Sequence, residues 1–406
     1  VLQELEANEQ YDVFEHLAVN TRYFKEDYLN ILMPVKVAMK QDTKYKSYCY
    51  FNNCAVEVGA KEIKILDYIA LDGFVWKDQV IDRDFNIIKE YDNDFKKFLF
   101  NIAGQNDKNL RAFETTIGYL IHSYKNKGYS PAVILNDEVI SEYPEGGTGK
   151  GLLINSVAQL KKCVVLDGKT FDITKSFPYQ TVSAATQVLV FDDVKKKFPF
   201  ELLFSLITEG ITLEKKNKDA IKLDFYASPK VVITTNYAIT GKGNSHDRRK
   251  WELELAQHYN LQLTPLDEFG KLLFDDWTTK EWLKFDNYMI NNLKNFLRDG
   301  FVEAEFKNLE TRKFINETCY EFYEWTEDPE ESNLLNRDRI SKNELFESFI
   351  DTYTDYKKWL TKKKFNIWLK AYGAFKGIKV EEGNSNGVRW ITYGIVKEQL
   401  LEEIDF

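Results

Sequence analysis

The chain has few of the residues that build disulfide frameworks, metal clusters or disordered linkers. It contains four cysteines, four histidines and eight prolines among 406 residues. The cysteines form no C-x-x-C pair and share no ligand spacing with the histidines, which argues against structural zinc and favours a reducing cytoplasm as the setting. No apolar run reaches the length of a membrane span and no signal peptide is recognisable, so we expect no membrane partner.

Aromatic residues, by contrast, are plentiful, with 29 Phe and 23 Tyr. This composition predicts packed helices and strands, and the length predicts two or three domains. The net charge of −9 argues weakly against general nucleic-acid affinity, although the charge is unevenly distributed along the chain. The chain begins at Val1, so we expect that it could be part of a longer polypeptide.

Hydrophobic periodicity divides the chain into four predicted ranges. Residues 1–88 mix helical patterns (Tyr11–Val19, Tyr28–Met39) with strand patterns (Tyr48–Glu57, Ile63–Tyr68) and carry no recognisable chemistry. Residues 89–130 are helical, either as a packing bundle or as a subunit contact. Residues 131–302 alternate short apolar runs with helices, which is typical of a parallel α/β sheet. Residues 303–406 form a further helical unit.

A glycine-rich loop with a lysine opens the third range. The segment Glu145–Gly151 precedes an apolar helix start, and it predicts a P-loop in which backbone N–H groups and the helix N-terminus surround phosphate oxygens. The predicted nucleotide-binding residues are Glu145, Gly146, Gly147, Thr148, Gly149, Lys150, Gly151 and Leu152. Pro144 stands where the pattern expects a glycine, and Gly151 stands where it expects a serine or threonine that binds magnesium. The alternative is a glycine-rich turn that only caps a helix.

Two later strands end in polar side chains. The apolar run Val188–Phe191 is followed by Asp192 and Asp193, and the run Lys230–Thr235 is followed by Asn236. A buried strand has no structural need for adjacent acids, but Mg²⁺ does. We predict that Asp192 holds the metal, that Asp193 also serves it or positions the attacking water, and that Asn236 contacts the γ-phosphate or that water. The alternative is a solvated acidic turn.

Between these strands lies a candidate DNA-contacting hairpin. Strands are predicted at Ile211–Glu214 and Ala220–Phe225, and the predicted DNA-binding residues at and beyond the tip are Lys215, Lys216, Lys218 and Lys222. Lysines at this place could track a phosphate backbone through a channel, or they could simply form a soluble surface.

An arginine pair, Arg248 and Arg249, precedes the next strand. In a ring, such an arginine can reach a neighbouring subunit's nucleotide as an arginine finger; the alternative is a surface ion cluster.

The order of these motifs resembles superfamily 3 helicases, which include the papillomavirus, polyomavirus and parvovirus replication helicases. The closest likeness is to primase-helicase proteins of phages and integrated elements. The resemblance covers about residues 90–300 and implies an AAA+-like P-loop ATPase core, ATP and Mg²⁺ as cofactors, and a homohexameric ring on single-stranded DNA, with a primase domain or protein as a further partner. It makes Lys150 the phosphate lysine, Asp192 and Asp193 the acidic pair, Asn236 the sensor and Arg248 the stronger candidate for the finger.

The last range predicts a winged-helix-like DNA-binding module. Helices begin near Ser341 and Leu360, and a strand pair is expected at Ile378–Glu382 and Val388–Tyr393. A small packing appendage is the alternative. The function predicted from the sequence is therefore an ATP-dependent replicative DNA helicase. The rival is a P-loop ATPase that acts as a replication initiator or protein-remodelling factor, with weak or no unwinding.

Overall fold

The structure is a computed structural model that describes residues 38–140, 146–195, 198–214, 216, 220–237, 239, 243–328, 331–332, 334–335 and 339–394. The predicted helix Tyr11–Val19 and almost all of Tyr28–Met39 lie outside these residues. So do the predicted site residues Glu145, Lys215 and Lys218.

Helices and strands alternate through most of the described chain. The strands are β1 (Lys46–Phe51), β2 (Ala55–Gly59), β3 (Ile63–Leu66), β4 (Val80–Ile81), β5 (Ala132–Asp137), β6 (Cys163–Asp167), β7 (Val188–Asp192), β8 (Gly210–Leu213), β9 (Ile221–Asp224), β10 (Lys230–Thr235), β11 (Lys250–Leu255), β12 (Ile340–Ser341), β13 (Lys379–Ser385) and β14 (Val388–Gly394). The α-helices are α1 (Asp94–Ile102), α2 (Asp107–Ile121), α3 (Lys150–Ala158), α4 (Phe204–Thr208), α5 (Asn244–Asp247), α6 (Pro265–Phe269), α7 (Thr279–Asp299), α8 (Leu309–Glu317), α9 (Tyr320–Glu327), α10 (Lys342–Thr352) and α11 (Lys362–Phe375).

The first sheet has the order β3-β2-β1-β4, antiparallel except for the parallel pair β1–β4. The run Tyr48–Glu57 reads as one strand in the sequence but forms two, because the chain turns at Asn52 and Asn53. Asparagine favours such turns, since its side chain hydrogen-bonds nearby backbone and tolerates turn dihedrals. A local turn signal inside an apolar run was therefore missed.

The second sheet is the architectural centre of the chain. Its five strands run parallel in the order β11-β5-β10-β7-β6, which confirms the predicted α/β class and is consistent with a P-loop-like core. Every residue of β5 and β10 is buried, as expected where helices and loops cover both faces of a parallel sheet. Alternate residues of these strands point into two different hydrophobic clusters, one on each face.

Two long helices pack across one face of this sheet. These helices are α2 and α7. Asn106 caps α2, and Thr278 with Glu281 forms a capping box at the start of α7. The helices approach so closely that a Cβ atom at Gly118 would lie 2.3 Å from the Asn292 carbonyl oxygen. Glycine at position 118 is therefore required by this contact.

The main hydrophobic cluster joins the first sheet, α1, α2, one face of the parallel sheet and α7. Residues from the predicted ranges 1–88, 89–130 and 131–302 thus share one core, and the division between these ranges stays a prediction. Within the described part of the chain, no helix is long and apolar enough to cross a membrane.

The C-terminal residues build their own hydrophobic cluster from α8 to α11 and the small sheet β12-β14-β13. The observed hairpin β13–β14 lies where a strand pair was expected, directly after two helices. This order is that of the predicted winged-helix-like unit, whose assignment stays a prediction.

Candidate active site

The glycine-rich loop ends at the start of α3, which follows the central strand β5. Gly147 and Gly149 have φ angles of 98° and 103°, which favour glycine. A Cβ atom at Gly149 would also lie 2.8 Å from the Phe98 ring, so the core holds this end of the loop in place. Leu152, further along α3, packs partly buried against the main cluster. The loop is thus anchored by apolar contacts on its inner side.

Lys150 lies between the ends of two neighbouring parallel strands. Its Nζ donates to Asn236 Oδ1 at 2.8 Å, just beyond β10, and to the carboxylate of Asp137 at the end of β5. Thr148 Oγ1 donates to the other Asp137 oxygen at 2.5 Å. The structure therefore brings together the predicted residues Lys150, Thr148 and Asn236, as expected where parallel strands end at one edge.

Sequence reasoning missed Asp137. The Lys150 and Asp137 side chains are only 16% and 6% exposed, so their ion pair is largely shielded from water. The available signal was a carboxylate at the end of a buried strand, the same signal that identified Asp192. This signal is weak in the sequence because a long stretch separates Asp137 from the glycines of the loop.

Asp192 and Asp193 end β7, on the far side of β10 from β5. Thr234 of β10 donates its hydroxyl to Asp192 Oδ1 at 2.6 Å and accepts from the Asp193 backbone N–H at 2.7 Å. Asp193 has a φ of 53°, unusual for a residue other than glycine, and its carboxylate pairs with Lys169 at 2.5 Å. Thr234 thus holds the Asp192 carboxylate and the Asp193 backbone, a role the sequence did not indicate.

The carboxylates at this edge can be compared with the ligands that Mg²⁺ requires. Magnesium is commonly held by one or two carboxylates together with phosphate oxygens and waters, and Asp192 is exposed at the strand end. Among the described residues there is no group of three or more His, Cys, Asp or Glu that could hold an ion without such help. Cβ atoms built on Gly146, Gly147 and Gly151 would meet none of the described residues within 4 Å, so that part of the chain leaves space beside the loop. The residues present fit a metal that arrives with a nucleotide.

The arginine pair lies at the opposite edge of the sheet. The Arg249 carbonyl accepts from the Ala132 N–H at the start of β5, at 2.9 Å. Ala132 and Asp137 are five steps of about 3.3 Å apart along β5, so the strand start beside the pair lies roughly 17 Å from the strand end that precedes the phosphate loop. The structure does not bring these arginines to the site that holds Lys150.

The two arginines have different surroundings. Arg249 donates to the Ser245 carbonyl and hydroxyl at 2.6 and 2.8 Å, and its guanidinium lies 4.3 Å from the Phe204 ring centroid. Arg248 is exposed, and within the described part of the chain no hydrogen bond or ion pair holds its side chain. Arg248 is therefore the one free to contact another molecule.

A third arginine, also missed from the sequence, reaches the site from the C-terminal unit. Arg312 of α8 donates to the Asp137 carbonyl and forms an ion pair with Glu254 of β11 at 3.0 Å, with both side chains buried. Arg312 thus links the C-terminal unit to the end of the strand that precedes the phosphate loop.

The lysine hairpin is present as β8 and β9, antiparallel, with Leu213 opposite Ile221. Of the predicted DNA-binding residues that the structure describes, Lys216 and Lys222 are both exposed. Ile211, Leu213 and Leu223 anchor the hairpin base in the second hydrophobic cluster.

Comparison with known proteins gives one partial family match. Residues 143–249 match a family of unknown function (DUF5906), and this stretch runs from the glycine loop to the arginine pair. None of the curated proteins matches the chain. The A-form apo structure of the NrS-1 C-terminal region is 14% identical, covering 87% of this chain and 97% of that one with a TM-score of 0.39. A JCV helicase with a bound small molecule is 14% identical, covering 58% and 60% with a TM-score of 0.32. At these scores the likeness carries no argument about function.

Proposed function

We propose that the chain is an ATP-driven DNA helicase motor of the superfamily 3 type, which works as a hexameric ring on single-stranded DNA. The observation that carries the proposal is the meeting of Lys150 and Asn236, with Asp192 and Asp193 one strand further along, at the carboxyl edge of a parallel sheet. Lysine, amide and paired acids at one edge form the set that phosphoryl transfer from a nucleotide requires.

Each residue receives one role in this proposal. Lys150 pairs with the β- and γ-phosphates, and Asn236, already hydrogen-bonded to Lys150, orients the γ-phosphate or the attacking water. Asp192 holds the metal, and Asp193 positions the water or accepts its proton. Bound Mg²⁺ would supply charge neutralisation between the phosphates. Thr234 positions the Asp192 carboxylate and the Asp193 backbone through its two hydrogen bonds.

The position of the arginine pair supports a ring. An arginine beside the start of β5, roughly 17 Å from the strand end that precedes its own phosphate loop, can serve catalysis only in a neighbouring subunit. Arg248 is exposed at that edge, whereas Arg249 is held by Ser245 and Phe204. We therefore assign Arg248 as the finger and Arg249 as its structural neighbour.

DNA contact is assigned to two places. The hairpin lysines Lys215, Lys216, Lys218 and Lys222 would follow the phosphate backbone inside the ring. The C-terminal unit would act as a winged-helix-like DNA-binding module, linked to the site through Arg312. A primase domain or protein as partner and a place in the host cytoplasm complete the proposal.

A second function is favoured by one observation. Gly151 offers no hydroxyl to the metal, so hydrolysis could be slow in a chain that still binds nucleotide. The chain would then act as a replication initiator or protein-remodelling ATPase.

ATP turnover measured with and without single-stranded DNA, together with native mass in the presence of nucleotide, distinguishes these functions. A helicase motor should assemble with nucleotide and hydrolyse ATP faster on DNA. Turnover that ignores DNA would favour the remodelling ATPase, and assembly without turnover would favour the initiator.

Replacing Lys215, Lys216 and Lys218 by alanine tests the channel contact. Each lost phosphate contact should reduce the salt dependence of single-strand binding by roughly 0.7 in slope, while basal turnover persists. A matched control replaces three exposed lysines remote from the hairpin, Lys44, Lys61 and Lys280. Equal slopes for the two triple variants would contradict a channel role.

A further inference from the structure

A cavity lies at the amino edge of the parallel sheet, away from the phosphate loop. It encloses about 440 Å³ between the first sheet and the end of the lysine hairpin. Its walls include Gln187, which precedes β7, and Ser228, which precedes β10. Ligand cavities commonly have volumes of roughly 300–1,000 Å³. This cavity is therefore large enough for a small organic ligand.

The walls are unusually rich in aromatic rings. They contain Tyr48, Tyr50, Trp76, Tyr124 and Tyr226. Tyr226 is 46% exposed and stacks with Tyr124, with ring centroids 6.4 Å apart. An exposed aromatic shelf of this kind suits a planar ligand, because flat π-faces stack with little dependence on sequence or substituents.

A buried amine, Lys125, also lines the cavity. Its Nζ donates to Ser228 Oγ at 2.8 Å and lies 4.6 Å from the Phe225 ring centroid. Among the described residues no carboxylate forms an ion pair with Lys125, and burial lowers the pKa of its amine to about 7. The Asp224 carboxylate, which also lines the cavity, acts on Lys125 only at longer range. A buried ammonium without a partner at ion-pair distance is costly, so an anion entering the cavity would be stabilised by it.

We propose that this cavity binds one nucleotide unit, with the base against the Tyr226 and Trp76 rings and the phosphate paired with Lys125. Planar rings and a buried amine in the same space match the two parts of a nucleotide. The same wall carries three further charged side chains, those of Lys40, Asp42 and Asp224. The unit could come from a DNA strand or from a free nucleotide. The strand source rests on the proposed function, since β9 leads from the lysine-bearing tip to Tyr226 in the cavity wall.

The test uses the full chain carrying Lys150→Ala, which removes the phosphate-loop lysine from the measurement. Binding of fluorescein-labelled oligothymidylate and of thymidine 5′-monophosphate is measured in this background. Adding Tyr226→Leu or Trp76→Leu should weaken binding by at least about fivefold, the smaller end of the range for loss of one base stack. The matched control is Tyr45→Leu, a tyrosine that is 72% exposed and does not line the cavity.

Lys125→Met tests the contact with the phosphate separately from the contact with the base. It should weaken thymidine 5′-monophosphate but leave thymidine unchanged, because only the former carries the anion. For Tyr226→Leu and Trp76→Leu, weakened binding of oligothymidylate alone assigns the site to a strand, and weakened binding of the monophosphate alone assigns it to a free nucleotide; both support the proposal. Variants that bind both probes as Tyr45→Leu does, or a parent that binds neither, would overturn it. Since the phosphate-loop lysine is already absent, failure here leaves the helicase proposal untouched.

Discussion

The two edges of the parallel sheet each hold a shielded lysine, but the partners differ. At the carboxyl edge, Lys150 pairs with the Asp137 carboxylate and with Asn236. At the amino edge, Lys230 is 2% exposed and donates to the carbonyls of Tyr119, at 2.6 Å, and His122. A lysine that pairs with a carboxylate can exchange it for phosphate, whereas a lysine that pairs with the last carbonyls of a helix stabilises that helix end. The same residue type thus serves binding at one edge and folding at the other.

Removing the lysine at the carboxyl edge should produce the largest effect on activity. Lys150→Ala should lower ATP turnover by at least about 10²-fold, because the phosphates lose a preorganised charge. The chain should still fold, since the main cluster anchors α3 through Leu153 and Val157. Steady-state turnover and thermal unfolding are measured beside Lys162→Ala, which alters a half-buried lysine just beyond α3 that pairs with Asp78 at 3.1 Å. Turnover equal to that of the control would show that Lys150 does not serve a phosphate.

The arginine pair at the amino edge should affect ATP turnover only in a neighbouring subunit. Arg248→Ala should be about 10³-fold slower than the parent if its guanidinium stabilises the transition state in the next subunit. Mixed with Lys150→Ala and allowed to reassemble, it should regain part of the activity, because some interfaces then pair an intact lysine with an intact arginine. Arg249→Ala is the control, since its side chain is held within its own chain. Absence of recovery despite subunit exchange, confirmed by native mass, would exclude a shared site.

Lys230 should behave in the opposite way from Lys150. Lys230→Ala should lower the free energy of unfolding by about 3 kcal/mol, since it leaves a cavity and two buried carbonyls without a donor. Burial lowers the pKa of Lys230 in the folded chain well below its ordinary value of 10.5. At pH values between the folded-state pKa and 10.5, the unfolded chain therefore binds more protons than the folded chain. The parent therefore gains stability as pH rises toward 10.5 and the variant lacks this gain, which should widen the difference between them.

Denaturant unfolding at two pH values, with the exposed Lys61→Ala as control, measures this difference. A loss of stability that shrinks as pH rises would contradict the assignment of Lys230 as a buried, depressed amine.

The local parts of the site could be predicted from sequence. A glycine loop before an apolar helix and a polar side chain after a buried strand are patterns within a few residues, so the sequence alone predicts roles for Lys150, Asp192 and Asn236. The partners of these residues could not be predicted, because they depend on which strands lie side by side. Asn236 meets Lys150 only because β10 lies beside β5, the strand that leads into the phosphate loop.

Long-range contacts explain the other omissions. Lys230 looks like an ordinary first residue of a strand, and its burial depends on carbonyls 108 and 111 positions away. Arg312 reaches Asp137 across 175 positions. The helices, strands and sheet class follow from periodicity, whereas these contacts follow from how the elements pack.

The smallest expected effect concerns the ion pair that a nucleotide would have to break at the carboxyl edge. A phosphate that binds Lys150 must displace the Asp137 carboxylate and then lie beside it, and like charges a few ångströms apart repel. Asp137→Asn removes this repulsion while its side-chain oxygen can still accept from Thr148, so the loop keeps its support. We expect ADP to bind about tenfold more tightly, which corresponds to about 1.4 kcal/mol.

The measurement is made without and with Mg²⁺, because Asp137 has a rival role. If its carboxylate replaced the hydroxyl that Gly151 lacks, Asp137→Asn would weaken binding in Mg²⁺ and leave metal-free binding unchanged. The control is Asp167→Asn, which alters an acid at the end of β6 on the same edge, two strands from β10. Tighter binding by Asp137→Asn alone, in both conditions, is the expected result. It would mean that the Asp137 carboxylate competes with a nucleotide phosphate for Lys150. The carbonyls around Lys230, in contrast, only accept hydrogen bonds and compete with no ligand.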